Sequence, residues 1–133
     1  MKRRQFLSNS GMLLAAGSIT SMVSCSSNEK PALGKRQIQH GVIFSLKYEV
    51  GSELALKFLD DGRNILSGIP VVQQFQVFRQ ISEKNRFQYG FTMVFDSQED
   101  YQTYNAHPDH VTFVEERWKK EVDQFMEIDF EAI

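Results

Sequence analysis

From Ile38 onward, apolar and polar positions alternate in blocks of distinct period. Ile38, His40, Val42, Phe44 and Leu46 fall in one phase and Gln39, Gly41, Ile43, Ser45 and Lys47 in the other, the period-two signature of a strand. Gly51-Ser52 then supplies a turn and a helix cap. Leu54, Phe58, Leu59, Ile65 and Leu66 recur at helical spacing, which predicts a first helix over Glu53 to Leu66, stopped by Gly68-Ile69-Pro70. Val71, Phe75, Val77 and Ile81 against Gln74, Gln76 and Gln80 predict a second strand, and Ser82 to Arg86 a hairpin turn. Phe87, Tyr89, Phe91, Met93 and Phe95 predict a third strand. Ser97 opens a short helix running through Tyr104. Pro108 sits where another helix takes its first residue, and Val111, Val114, Trp118 and Val122 form the apolar stripe of that helix. Met126, Ile128 and Phe130 predict a fourth strand.

The order is β-α-β-β-α-α-β, an α+β, ferredoxin-like plan with helices on one face of a four-stranded antiparallel sheet. The apolar phase of each strand is expected to face the helices. That leaves Ile43, Val72, Phe78, Val94 and Phe125 on the opposite face among glutamines, a mixture too apolar for a purely solvated surface. Two sheets packed face to face in a homodimer would bury it.

The N-terminus reads differently. Lys2-Arg3-Arg4 precedes an uncharged stretch from Ser8 to Ser24, and then comes Cys25, the order of an export signal, residues 1–24. Arg3-Arg4-Gln5-Phe6-Leu7 resembles a twin-arginine signal, and Met22-Val23-Ser24-Cys25 resembles a lipobox whose cysteine is lipidated. The apolar stretch is short and broken by Gly11, Gly17, Ser18, Thr20 and Ser21, against the roughly 20 apolar residues of a spanning helix. Cys25 to Gln37, with Pro31 and Gly34, reads as lipid anchor and flexible tether. The expected location is outside the bacterial cytoplasm, on the periplasmic or cell-surface side of a membrane. Removing Met1 to Ser24 takes away Lys2, Arg3 and Arg4 and no acid, leaving 12 basic against 17 acidic residues, a formal charge of -5. That balance argues against a nucleic-acid partner. A single cysteine excludes an intrachain disulfide, so stability falls to a core rich in the 11 phenylalanines.

Three segments together resemble the stress-responsive dimeric α/β-barrel (Dabb) family: Ile38-Gln39-His40-Gly41-Val42-Ile43-Phe44, Phe91-Thr92-Met93-Val94-Phe95-Asp96-Ser97, and Tyr104-Asn105-Ala106-His107-Pro108-Asp109-His110-Val111. The last matches the family's Tyr-x-x-His-Pro-x-His block, and Ile128-Asp129-Phe130 fits its acidic ending. The resemblance covers residues 38–131 and implies a homodimer whose two sheets form a barrel. One plant branch resembles a polyketide cyclase using intramolecular aldol chemistry. Its catalytic Tyr and second His correspond to Tyr104 and His110, and its pocket-lining strand-one histidine to His40.

The residues themselves allow more than one reading. Pro108 at the first helical position puts His110 in the first turn, where the helix dipole disfavours imidazolium and leaves a neutral base. Tyr104 can hydrogen-bond a carbonyl oxygen and stabilise developing enolate charge. His40 shares the phase of Val42, Phe44 and Leu46, so all three polar groups are expected to meet in an apolar pocket between sheet and helices. His107, restricted to extended backbone by the following proline, joins them as a ligand-binding candidate or serves only as a helix cap. The same histidines can equally serve to hold two helices on the sheet. No cofactor or metal is predicted: His107 and His110 lie three apart, a poor match to the i, i+4 pairing of helical zinc sites. The barrel superfamily includes haem-handling oxygenases, in which case a histidine would be the axial ligand. Trp118 reads as core and Glu115 to Glu121 as a solvated face. Glu127 and Asp129 share a phase on strand four. Two functions remain in view: a small-molecule-binding dimer, or an enzyme acting on a small carbonyl compound with Tyr104 and His110 as acid and base.

Overall fold

The computed structural model describes residues 32–133; the segment expected to be an export signal, Cys25 and the first part of the expected tether lie outside them. The strands are β1 (Ile38–Leu46), β2 (Gln73–Arg79), β3 (Tyr89–Phe95) and β4 (Val122–Glu131). They form one antiparallel sheet in the order β2-β3-β1-β4. Helices α1 (Glu53–Leu66), α2 (Gln98–Ala106) and α3 (Pro108–Phe113) cover one face. A π-helical turn (Val114–Trp118) and a last short turn, α4 (Lys119–Glu121), lead into β4. This is the ferredoxin-like α+β plan. Among the described residues no helix is long and apolar enough to cross a membrane.

Local chemistry sets the helix starts. The Ser52 hydroxyl accepts from the Ala55 backbone N–H, and Ser97 does the same for Asp100 at α2. Below the helices the core is aromatic. Phe44, Phe58, Phe91 and Phe95 are all but fully buried, each side chain contributing roughly 1.5–3 kcal/mol of burial. Gly62 lets α1 settle onto this layer: a Cβ there would lie 2.8 Å from the Phe91 ring. On the outside, Arg117 joins the π turn to α1 through Asp61 and to Glu121, which also accepts from the Tyr48 hydroxyl.

The structure corrects several sequence expectations. Strand two is shorter than its alternation suggested, and Ile81 lies beyond it, 88% exposed. An extra residue enters β2 between Gln73 and Gln76, where Gln74 takes a positive φ of 50°, so the pairing slips by one. Val72 precedes β2 and packs against the core rather than on the far face. Phe113, not Val111, is the buried residue of α3. Val122 is not the end of a helical stripe: its backbone is extended and it pairs with Leu46.

The largest correction concerns β4. Phe125, Glu127 and Asp129 pair with Phe44, Val42 and His40, so they share the helix-covered face. Met126, Ile128 and Phe130, the apolar phase, therefore point to the open face with Ile43 and Phe78. Phe125, expected there, instead meets Trp118 edge-on at 5.6 Å. A rule that the apolar phase faces the helices fails on a strand whose helix-side neighbour is a cavity.

Candidate functional site

A cavity of about 320 Å³ opens between the sheet and the α3–π segment. Its walls are mostly apolar, among them Val42, Leu66, Phe91, Phe113 and Trp118. His40, Tyr104 and His110 supply polar groups, and Phe125, Glu127 and Lys119 complete the lining. Strand parity aims His40 inward from β1, the α2 terminus brings Tyr104, and the first turn of α3 brings His110. The Tyr104 and His110 rings lie 4.4 Å apart between centroids, and His40 lies 6.2 Å from Tyr104.

Hydrogen bonds fix what each group offers. His40 Nδ1 lies 2.6 Å from Asp129 Oδ1, and the Tyr101 hydroxyl donates to Asp129 Oδ2 at 3.1 Å while sitting 3.0 Å from the same Nδ1. A carboxylate only accepts, so Nδ1 carries the proton and Nε2 presents a lone pair. His110 Nδ1 lies 3.1 Å from the Asn105 carbonyl, which likewise makes Nδ1 the donor and Nε2 the acceptor. The Tyr104 side chain is 3% exposed, yet among the described residues its hydroxyl has no hydrogen-bond partner. Every fully enclosed side-chain nitrogen or oxygen among them is satisfied, so this hydroxyl opens on the cavity.

Burial pushes the Tyr104 hydroxyl well above the ordinary tyrosine range, with further upward pushes from Tyr101 and Glu127, so it stays a protonated donor. Tyr101 is raised for the same first reason, then by Asp129. Burial lowers His110, outweighing the bond to Asn105, and keeps its imidazole neutral near pH 7. The cavity thus presents one phenol donor, Tyr104, and two imidazole acceptors, complementary to a ligand with a carbonyl oxygen beside an acidic proton.

His107 stands apart from this group. It caps α3, its Nδ1 accepting from the Asp109 N–H at 3.1 Å, and it does not line the cavity. The alternative given by Pro108, a helix cap, describes its place. Trp118 packs on Phe44 at 4.9 Å and also lines the cavity. Sequence reasoning missed Tyr101 and left Asp129 and Glu127 without a role. The signal for Asp129 was its phase, but its partner His40 lies 89 residues away. Among the described residues no group of three His, Cys, Asp or Glu side chains is placed to hold a metal ion.

A ferredoxin-like sheet with a small apolar cavity under its helices defines the class of protein. The profile of the Stress responsive A/B Barrel Domain (Dabb) matches residues 38–132, and the chain belongs to that family. A Dabb-family protein with a ferredoxin-like fold from Mesorhizobium loti is 45% identical; the match covers 73% of this chain and 97% of that one, with a TM-score of 0.72. A dimeric protein of unknown function from Bacteroides fragilis is 19% identical over 76% of this chain and 100% of its own, at a TM-score of 0.59. The hydroxynitrile lyase of Passiflora edulis is 13% identical over 75% of this chain and 96% of its own, at 0.64. Among curated proteins none matches.

Proposed function

We propose that this protein is an exported, lipid-anchored homodimer that binds a small carbonyl compound in the cavity of each subunit. The observation that carries the reading is the Tyr104 hydroxyl, which opens unpartnered on an apolar cavity beside two imidazole acceptors. A ligand carbonyl would give it a hydrogen bond worth about 1 kcal/mol net of the water it displaces. His40 and His110 would then face the carbon or hydroxyl next to that carbonyl.

Export and anchoring rest on Arg3, Arg4 and Cys25, and the dimer on the open sheet face. Phe78, Met126 and Phe130 are 47%, 46% and 58% exposed there, and Ile43 and Ile128 half-buried. A single-sided sheet with that many apolar side chains is covered by a second sheet. The Bacteroides fragilis structure of this fold is described as dimeric.

A second reading, catalysis, is favoured by the Asp129 contact. A carboxylate on Nδ1 orients His40 and fixes its tautomer, so that Nε2 faces the cavity side as an acceptor, the arrangement of a general base. With Tyr104 holding the carbonyl oxygen, His40 or His110 Nε2 takes the proton from the adjacent carbon, and the electron pair of that C–H bond passes to the oxygen as an enolate held by the phenol. One structure of this fold, from Passiflora edulis, is named as a lyase, so the scaffold is able to carry an enzyme.

Calorimetric titration of the full chain with a panel of aryl and alkyl ketones tests the binding reading. Saturable binding that weakens in Tyr104→Phe supports it. A panel without binding, or binding indifferent to Tyr104→Phe, removes it. Loss of deuterium from the α-carbon of a bound ketone, abolished by Asp129→Asn and His40→Gln, would establish the catalytic reading.

A further inference from the structure

Besides Tyr104 and the two imidazoles, a second, chemically different group of side chains lines the cavity. Trp118 and Phe125 meet there at 78°, ring centroids 5.6 Å apart, and form an aromatic corner. Phe125 is 53% exposed, so its ring keeps an open face. Glu127 follows Phe125 by two positions on β4, and the pairing of the two with Val42 and Phe44 puts both on the cavity side.

The charges around this corner do not cancel. Lys119, the one cationic residue lining the cavity among the described residues, is held by Glu115 one turn back on its own helical segment. Arg117 is occupied by Asp61 and Glu121. Asp129 is shared by His40 and Tyr101. Glu127 has neither a salt bridge nor a side-chain hydrogen bond among the described residues. Its carboxylate is the uncompensated charge of the cavity. Glu127 is exposed in the single chain, so the field it sets in the cavity is screened by salt and is strongest at low ionic strength.

From this geometry we infer that the ligand carries a cationic ammonium group, seated in the Trp118–Phe125 corner against Glu127, while its carbonyl reaches Tyr104. This deepens the carbonyl-binding reading above and rests on it. Aromatic faces attract an ammonium through the ring quadrupole, best at Trp, and a nearby carboxylate supplies the counter-charge. A neutral ligand gains only the walls. An anionic ligand meets Glu127 and is repelled, which disfavours acyl groups delivered on phosphorylated carriers.

Three probes of one shape separate these cases: 4-(trimethylammonio)acetophenone, its neutral isostere 4-tert-butylacetophenone, and 4-acetylbenzoate. Each is titrated into the full chain in detergent at low ionic strength, with Trp118 fluorescence as a second readout. The expected result is at least tenfold tighter binding of the cation than of the neutral isostere and the weakest binding of the anion. That preference should fall several-fold in Glu127→Gln and in 0.5 M salt, with the circular dichroism spectrum of the variant unchanged. Equal or tighter binding of the tert-butyl ketone, sensitive to Tyr104→Phe, overturns the cation inference and leaves the carbonyl pocket standing. Failure of all three probes overturns both.

Discussion

Tyr104 and His110 are neighbours with opposite duties. The phenol is buried and has only the cavity to donate to, so Tyr104→Phe removes a donor that the folded apoprotein never uses. The variant should melt within about 1 °C of the parent and lose about 1 kcal/mol of ketone affinity, roughly fivefold, by calorimetry. His110 is held below its ordinary value of 6.5, chiefly by burial. As pH falls through 6.5 the unfolded chain takes up a proton that the folded chain still refuses. The unfolded state then binds more protons, so stability is full above about 6.5 and declines below it. Urea midpoints at pH 7.5 and 5.5 should show a decline that is smaller in His110→Asn, whose amide can still donate to Asn105. An equal decline in both proteins would assign the acid sensitivity elsewhere. His40 could be aimed from sequence, because strand parity is local. Asp129 and Tyr101 could not be joined to it, because their contact depends on which strand and which helix lie beside β1.

Elements were legible where one period dominated. β1, α1 and β3 lie close to where their alternation or helical spacing put them, with Phe87 excluded from β3. β4 was found as a strand, but its facing was inverted, since Met126, Ile128 and Phe130 are its apolar set and still point away from the helices. Period two reports that a strand has two different faces without reporting which one is covered. The π turn at Val114–Trp118 was not legible either, because one wide turn shifts the phase of a short stripe and leaves Val111 outside. At α1, Gly62 carries a direct test. Alanine would gain about 1 kcal/mol of helix propensity but would press on the tightly packed ring of Phe91, which can yield only toward the cavity it lines. A net loss of about 1–2 kcal/mol is expected, several degrees in melting temperature. Because Phe91 also lines the cavity, ketone affinity should fall with it. A more stable Gly62→Ala protein would mean that α1 is free to lift from the sheet.

At the scale of the whole domain, the described residues form a sheet that they cover on one side only. Its open face combines Phe78, Met126 and Phe130 with the gap left by Gly41 and Gly90, where a pocket walled by Ile43 and Ile128 lies. If a second copy fills this surface, a charge placed on it should be intolerable. Phe130 is 58% exposed in the single chain, so Phe130→Asp should leave each subunit folded. Sedimentation should nevertheless show it as a monomer at concentrations where the parent is a dimer. A variant that stays dimeric would move the interface to another surface. The sequence had pointed to an apolar far face through Ile43 and Phe78, which lie there, and also through Val72 and Phe125, which lie elsewhere.

The pairing of His40 with Asp129 also has a meaning in time. The two residues stand 89 positions apart, and only the docking of β4 beside β1 brings them together. Before that event the first strand can pair with β3 and the helices can form, but the histidine has no carboxylate and the cavity lacks the wall made by Phe125 and Glu127. Contacts of such long range close late, because the loop entropy is spent before they return anything. A refolding chain should therefore regain its helical signal first and its capacity for ligand last, so that competence marks completion.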